Sequence, residues 1–399
     1  MSNQSTPRGN RLHIGLFGNR NAGKSSLINA LTGQEISLVS PVAGTTTDPV
    51  YKSFELIGVG PVVFVDTAGL DDGGELGQLR VEKTRQALEK TDLAILVLTG
   101  AHDTQELNWL EAIREKNIPT LVLLNKADLL EDPNAMAQAI SAQIDLPVMA
   151  CSAQTGQNIP ELLQAIMTLV PDDFWDRTLL GDMVGPGDLG LLVMPQDTEA
   201  PKGRLILPQV QTTRELLDKK CTVVSTTTDC LSNTLAALAH PPKLIITDAN
   251  SFPQVWAQKP PESILTAFTI LFAGYKGDIR TFLEGASAIE ALTENSRVLI
   301  AEACSHTHNE EDIGRKKVPA LLRKKAGEGL AIDHVQGNDF PQDLSPYDLV
   351  IHCGACMFNR RHVMGRIAQA DRQKVPITNY GIVLAALSGI LDQVAIPEE

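Results

Sequence analysis

An apolar run, LHIGLF at residues 12–17, leads directly into GNRNAGKS at residues 18–25. The octapeptide fits G-x-x-x-x-G-K-[ST], and few folds are open to a chain that carries it between an apolar strand and a helix start. Consecutive backbone amides must wrap an anionic phosphate, glycine permits the wrap, and the helix start adds partial positive charge. Lys24 then places a cation on the β and γ phosphates, and Ser25 offers a hydroxyl to magnesium. The competing reading is a glycine-rich turn with no ligand, and the flanking strand and helix signals weigh against it.

The rest of the chain repeats this alternation. Residues 62–65, 93–98 and 120–124 read as further buried strands, with helical periodicity at 24–31, 79–88, 107–115 and 159–169. Strand and helix in alternation predict an α/β fold with a parallel, doubly wound sheet. A first domain is expected over residues 11–172, ending near Pro171. The stretch GDMVGPGDLG at 181–190 reads as a linker. Strands at 190–193, 222–224 and 243–246, with helices at 212–220 and 230–238, predict a small α/β unit over 182–260. Beyond Pro260 and Pro261 a third α/β domain is expected over 261–396. An apolar helix at 264–272 opens it; strands at 297–301, 330–334, 349–352 and 375–377 and helices at 361–370 and 380–387 follow. Several domains suit 399 residues, since single cores stop growing near roughly 250–300 residues.

Three more elements follow the phosphate loop in order. DTAG ends an apolar strand, so Asp66 would hold magnesium through water and the Gly69 amide would sense the γ-phosphate. NKAD supplies Asn125, Lys126 and Asp128, and its aspartate can accept from both the ring NH and the exocyclic amine of guanine. Adenine lacks that pair, so the nucleotide is read as GTP. Ser152 and Ala153, after Cys151, would bring a backbone amide to the guanine oxygen. The expected phosphate-loop contacts are Gly18, Asn19, Asn21, Ala22, Gly23, Lys24, Ser25 and Ser26. A threonine in GTTTD, residues 44–48, would complete the magnesium shell and order a switch loop.

AGTTTD, DTAGL and NKAD together resemble the Era/TrmE-like branch of the translation-factor GTPases, from Arg11 to about Pro171. The resemblance implies Thr46 as a magnesium ligand beside Ser25, with Lys24, Thr46, Asp66 and Gly69 serving catalysis. It also implies that Asn21 helps bind a potassium ion that takes the place of an arginine finger. The chain departs from the pattern at Thr47, where an arginine is usual, and after DTAGL, where Asp71, Asp72 and Glu75 stand instead of the catalytic glutamate. Slow hydrolysis is therefore expected, below the ~1 s⁻¹ of well-served phosphoryl transfer.

A second group of chemistry-bearing residues lies in the last third. Cys304 and His306 follow one expected strand, and His352, Cys353 and Cys356 follow another. Ends of neighbouring parallel strands are where ligands collect in open α/β sheets. The two-residue gap in HCGAC lets both thiolates reach one centre. Thiolates select zinc, copper(I) or iron–sulfur clusters, and three cysteines with one further ligand also fit zinc. The residues alone leave zinc and iron–sulfur open. Cys151, Cys221 and Cys230 have no such company and are expected to pack.

The pattern C-x-H-x45-H-C-x-x-C, after an Era-like domain and an intervening α/β unit, resembles HydF, the maturation GTPase and scaffold of the iron-only hydrogenases. The resemblance implies a 4Fe-4S cluster on Cys304, Cys353 and Cys356 with a fourth iron site open or weakly ligated. His306 and His352 are candidates for that place or for the shell around it, and His308, Glu310 and Asp312 make the nearby loop polar. Arg360 and Arg361 would either neutralise an anionic cyanide-bearing di-iron unit or form an exposed basic helix start. It further implies GTP hydrolysis as the only catalysed chemistry and carriage of a transient di-iron precursor. The implied partners are radical-SAM hydrogenase maturases, the iron-only hydrogenase apoprotein and a second copy of the chain, a homodimer through the middle domain.

Composition narrows the rest. A net charge of −14 and 4% aromatic residues speak against nucleic acid or an anionic membrane as the main partner. No apolar run approaches the roughly 18 residues of a membrane span, and MSNQSTPRGNR lacks a signal-peptide core. A cytoplasmic protein with reduced thiols is expected. The alternative is a ribosome-assembly or tRNA-modification GTPase with a structural zinc site.

Overall fold

A computed structural model describes residues 6–33, 50–67, 75–101, 104–171, 174–195, 203, 205–303 and 313–397. Its contacts divide the chain into two units, Met1–Asp176 and Arg177–Glu399.

The first unit is built on strands β1 (Leu12–Phe17), β2 (Val50–Leu56), β3 (Gly60–Asp66), β4 (Leu93–Leu98), β5 (Thr120–Leu124) and β6 (Val148–Ala150), in the order β2-β3-β1-β4-β5-β6. β1 and β4 are apolar at nearly every position because they lie centrally and are covered on both faces. One face packs on Leu27, Ile28, Leu162 and Ile166. The other packs on Trp109, Leu110, Ile113 and Ile140. The alternation predicts a parallel sheet, and one strand departs from it. β2 runs antiparallel to β3, with Val50 opposite Asp66 and Leu56 opposite Gly60. Its sequence VYKSFEL mixes polar and apolar residues because an edge strand is only partly covered, so no buried run marks it. Helix Pro133–Ile144 lies beyond the expected elements; Asp132 caps it by accepting from the Ala135 amide at 3.0 Å.

The second unit holds two parallel sheets. Strands β7 (Leu189–Val193), β8 (Thr222–Thr226), β9 (Leu244–Thr247) and β10 (Ile264–Ala267) lie in the order β10-β9-β7-β8. Strands β11 (Arg297–Glu302), β12 (Ala331–Gln336), β13 (Leu349–His352) and β14 (Ile377–Asn379) lie in the order β12-β11-β13-β14. The segment expected as one helix over 264–272 is instead β10 followed by helix Phe268–Lys276. Four apolar or β-branched residues suit either state, and pairing with β9 decides it. The expected divide at residue 260 thus precedes a strand of the middle sheet. The Ala395 amide donates to the Leu265 carbonyl at 2.7 Å on β10. One continuous core joins both sheets, running from Leu191, Ile245 and Phe252 to Phe282, Ile300, Ile351 and Ile382. Among the described residues no helix is long and apolar enough to cross a membrane.

Candidate nucleotide and metal sites

The phosphate loop leaves β1 and enters helix Lys24–Thr32. Two glycines are required by space as well as by backbone. At Gly18 (φ 139°) a Cβ would stand 2.3 Å from the Val97 carbonyl oxygen, and at Gly23 (φ 90°) it would stand 2.3 Å from Asn125 Nδ2. Lys24 is buried, and its Nζ donates to the carbonyls of Gly18 at 2.8 Å and Asn19 at 2.9 Å. The ammonium is thereby held over its own loop. Ser25 Oγ donates to Asp66 Oδ2 at 2.8 Å, so the two groups expected to serve magnesium are already together. Burial pushes the Asp66 carboxyl above its ordinary range, against the pull of the Ser25 hydrogen bond and the Lys24 charge. Asn21, exposed and at φ 60°, and the exposed Ser26 flank the loop. Thr46, Thr47, Gly69, Asp71 and Asp72 lie outside the described residues, and Glu75 opens helix Glu75–Leu88.

The base-recognition segments sit at the ends of β5 and β6. Asp128 is exposed on the short turn Ala127–Leu129, which starts from Lys126 at φ 60°. Asn125 is 1% exposed and does something its motif did not announce. Its Nδ2 donates to the Ala22 carbonyl at 2.8 Å, and its Oδ1 accepts from the Ala153 amide at 3.1 Å. One side chain therefore ties the phosphate loop to the segment after β6. Of the segment expected to bring a backbone amide to a guanine oxygen, the Ala153 amide is engaged by this carboxamide. Ser152 is buried, and its Oγ accepts from the Thr155 amide at 3.1 Å, closing the turn behind it.

The second group forms where β11 and β13 run side by side, with Ala301 opposite His352. Cys304 and His306, with His308, Glu310 and Asp312, lie outside the described residues. Their chain neighbour Ala303 does not: its amide donates to Cys353 Sγ at 3.0 Å. The Ala355 amide donates to the same sulfur at 3.4 Å, from a residue at φ 48°. Both N–H groups point at the sulfur, the atom through which a cysteine binds metal. Cys353 and Cys356 are each partly exposed. Among the described residues no group of three or more histidines, cysteines and carboxylates could hold a metal ion, Cys304 falling outside them. The donor set on either side nonetheless suits a thiolate-bound centre, because Cys353 lies one hydrogen bond from the residue that precedes Cys304.

Arg360 and Cys230 stand otherwise than expected, and His352 is held by protein on both sides of its ring. His352 is fully buried, its Nδ1 is 2.8 Å from the Cys353 carbonyl oxygen and its Nε2 is 2.9 Å from Arg366 Nη1. Both nitrogens are engaged by protein. Arg360 is not an exposed basic residue: it donates to the carbonyls of Gly274, at 3.2 Å, and Gly277, at the end of helix Phe268–Lys276 where carbonyls lack helical partners. Cys230 is exposed, whereas Cys151 and Cys221 are buried as packing residues should be. Burial pushes the Cys151 thiol up to about 11, and Cys221 Sγ donates to the Gly185 carbonyl at 3.2 Å.

Comparison with known proteins follows the same division. Residues 280–397 match the family model described as hydrogen maturase F tetramerization domain. Residues 179–277 match that described as hydrogen maturase F dimerization domain. Residues 13–126 match 50S ribosome-binding GTPase. The tRNA modification GTPase MnmE of Desulfotalea psychrophila is 35% identical over 169 residues, 41% of this chain and 36% of that protein. GTPase Der of Wolinella succinogenes is 34% identical over 186 residues, 42% of this chain and 39% of that protein. The chain thus spans less than half the length of the curated relatives it matches. Among solved structures, Aquifex aeolicus Era bound to GDP and aluminium fluoride aligns at 19% identity with a TM-score of 0.36, covering 63% of this chain and 99% of that one.

Proposed function

The chain belongs to the hydrogen maturase F family, and from that premise we propose that it carries the di-iron precursor of the iron-only hydrogenase active site beside a resident 4Fe-4S cluster. Its first unit is a GTPase domain, hydrolysing GTP with magnesium, and the whole is a hydrogenase maturation GTPase.

In the GTPase domain Gly18, Asn19, Ala22, Gly23 and Ser26 cradle the phosphates with Lys24, and Ser25 and Thr46 ligate magnesium. Asp66 acts through water, Gly69 senses the γ-phosphate, and Asp128 reads guanine with Asn125, Lys126, Ser152 and Ala153 around it. Asn21 serves a potassium ion. The Lys24 and Ser25–Asp66 geometry supports these roles.

In the second unit Cys304, Cys353 and Cys356 hold the cluster, with His306 in or near the remaining place. When bound, the cluster supplies an iron site to which an external group can attach. The chain's own residues bring two strand ends together and donate amides to sulfur. The observation that carries this reading is the Ala303 amide on Cys353 Sγ, which joins the segment entering Cys304 to the CxxC turn. The matched dimerization and tetramerization domains support self-association, and the expected homodimer is one level of it. Radical-SAM maturases would load the protein and the hydrogenase apoprotein would unload it, in the cytoplasm. MnmE and Der match 41% and 42% of the chain, while residues 179–277 and 280–397 match hydrogen maturase F models, which favours the hydrogenase reading over the zinc-bearing tRNA or ribosome alternative.

The test is anaerobic reconstitution of the full chain with iron and sulfide. A brown protein with about four irons per chain, lost when Cys304, Cys353 or Cys356 is replaced by serine, supports the proposal. A colourless protein that keeps stoichiometric zinc refutes it.

A further inference from the structure

Arg366, on helix Arg360–Arg372, is 4% exposed and faces the buried His352. Its Nη1 lies 2.9 Å from His352 Nε2, its Nη2 donates to the Gly337 carbonyl, and its guanidinium sits over the Phe340 ring at 4.7 Å. A guanidinium only donates. Nε2 must therefore present its lone pair, which leaves the ring proton on Nδ1. That proton points at the Cys353 carbonyl oxygen, 2.8 Å away. The same oxygen accepts from Asn379 Nδ2 at 3.3 Å. The Cys353 amide donates to Ala301, and its sulfur takes the two amides already described.

We infer that Arg366 and His352 form a positioning pair that fixes the tautomer of His352 and, through it, the turn that presents Cys353, and that His352 is not an iron ligand. This rests on the cluster reading above and names what supports it. Turning Nε2 toward iron would cost the buried guanidinium its hydrogen bond to His352, and turning Nδ1 would cost the Cys353 carbonyl one of the two donors it accepts from. Either exchange loses a buried hydrogen bond, and the one made by the charged guanidinium is the costlier loss. Residues that orient a ligand from behind are worth about 10- to 100-fold in metal affinity in characterised sites.

The test has a cluster-free arm and a loaded arm. In the cluster-free full chain, ¹⁵N labelling of histidine should place the proton of His352 on Nδ1, and Arg366→Met, which leaves only the Cys353 carbonyl to hold that tautomer, should weaken the preference. A proton on Nε2 in the unmodified chain overturns the inference. In the reconstituted chain, transfer of iron to a chelator should be about 10-fold faster in His352→Leu and Arg366→Met. His352→Asn, whose side-chain amide can donate to the Cys353 carbonyl as Nδ1 does, should release iron close to the unmodified rate. Arg366→Lys, which keeps a donor for Nε2, should fall between. Any nitrogen hyperfine coupling of the reduced cluster should survive every one of these changes. Loss of that coupling in His352→Asn makes His352 a ligand and overturns the inference, as does an unchanged release rate in Arg366→Met. Thermal unfolding of each cluster-free variant separates this from global loss of fold. A chain that takes up no iron and sulfide refutes the cluster reading instead, while the ¹⁵N result still decides the Arg366–His352 pair.

Discussion

Asn125 offers the sharpest test of how the nucleotide site is assembled. Replacing it by alanine removes two close hydrogen bonds, to the Ala22 carbonyl and from the Ala153 amide, and a long one from the Cys151 thiol at 3.9 Å. Each close bond contributes about 1 kcal/mol net, and a buried partner left unsatisfied adds about 1–3 kcal/mol. Ala22 is 2% exposed, so water reaches its carbonyl poorly; Ala153 is less enclosed. The expected loss is roughly 3–4 kcal/mol from the stability of the first unit. Urea unfolding followed by fluorescence of Trp109, buried in that unit, measures it. The phosphate loop and the base segment also lose their shared tie, so GDP affinity should fall at least about 10-fold, the equivalent of 1.4 kcal/mol. Titration calorimetry reads this directly. Asn125→Asp keeps the acceptor for Ala153 but turns a carboxylate toward the Ala22 carbonyl, so it should do no better. A stability change under about 0.5 kcal/mol with unchanged GDP affinity would show that the bridge does not matter.

Other outcomes follow from the same geometry. Lys24→Ala should abolish GTP hydrolysis measured by phosphate release, and exchanging potassium for sodium should slow it; equal rates in the two salts remove the role given to Asn21. The Asp66 carboxyl has its folded-state pKa raised by burial. Ionising it therefore costs stability as pH climbs from its unfolded value through the raised one, and that cost persists above. Asp66→Asn should stabilise the nucleotide-free first unit at neutral pH and lose this advantage below about pH 3.8, while magnesium-dependent GTP binding weakens; a variant less stable at pH 7 refutes the argument. In the cluster-free chain, mass mapping after iodoacetamide at pH 8 should find Cys230 modified well before Cys151, whose buried thiol stays protonated; equal labelling contradicts the burial.

What could be read from the chain alone was local or symmetric. The phosphate loop is contiguous, and β1 and β4 are buried on both faces, so their residues announce themselves. β2 escaped because an edge strand carries Lys52, Ser53 and Glu55 among its apolar residues. β10 reads as helix because four residues cannot display a period, and only pairing with β9 sets their state. The same limit hid the side-chain ties. Asn125 reaches Ala22 across 103 positions, and Arg360 reaches Gly274 across 86. Arg366 reads in the sequence as one more cation on a polar helix, and nothing about its spacing from His352 says that the two meet.

The shared interior of Arg177–Glu399 sets how this protein can be taken apart. Because Leu191 and Phe252 belong to the same apolar mass as Ile300 and Ile351, the two parallel layers should melt together, in one calorimetric event. A chimera that grafts a foreign GTPase ahead of Arg177 leaves that interior whole. A graft that exchanges only the layer bearing Cys353 severs it, and such a hybrid should come out of the cell insoluble.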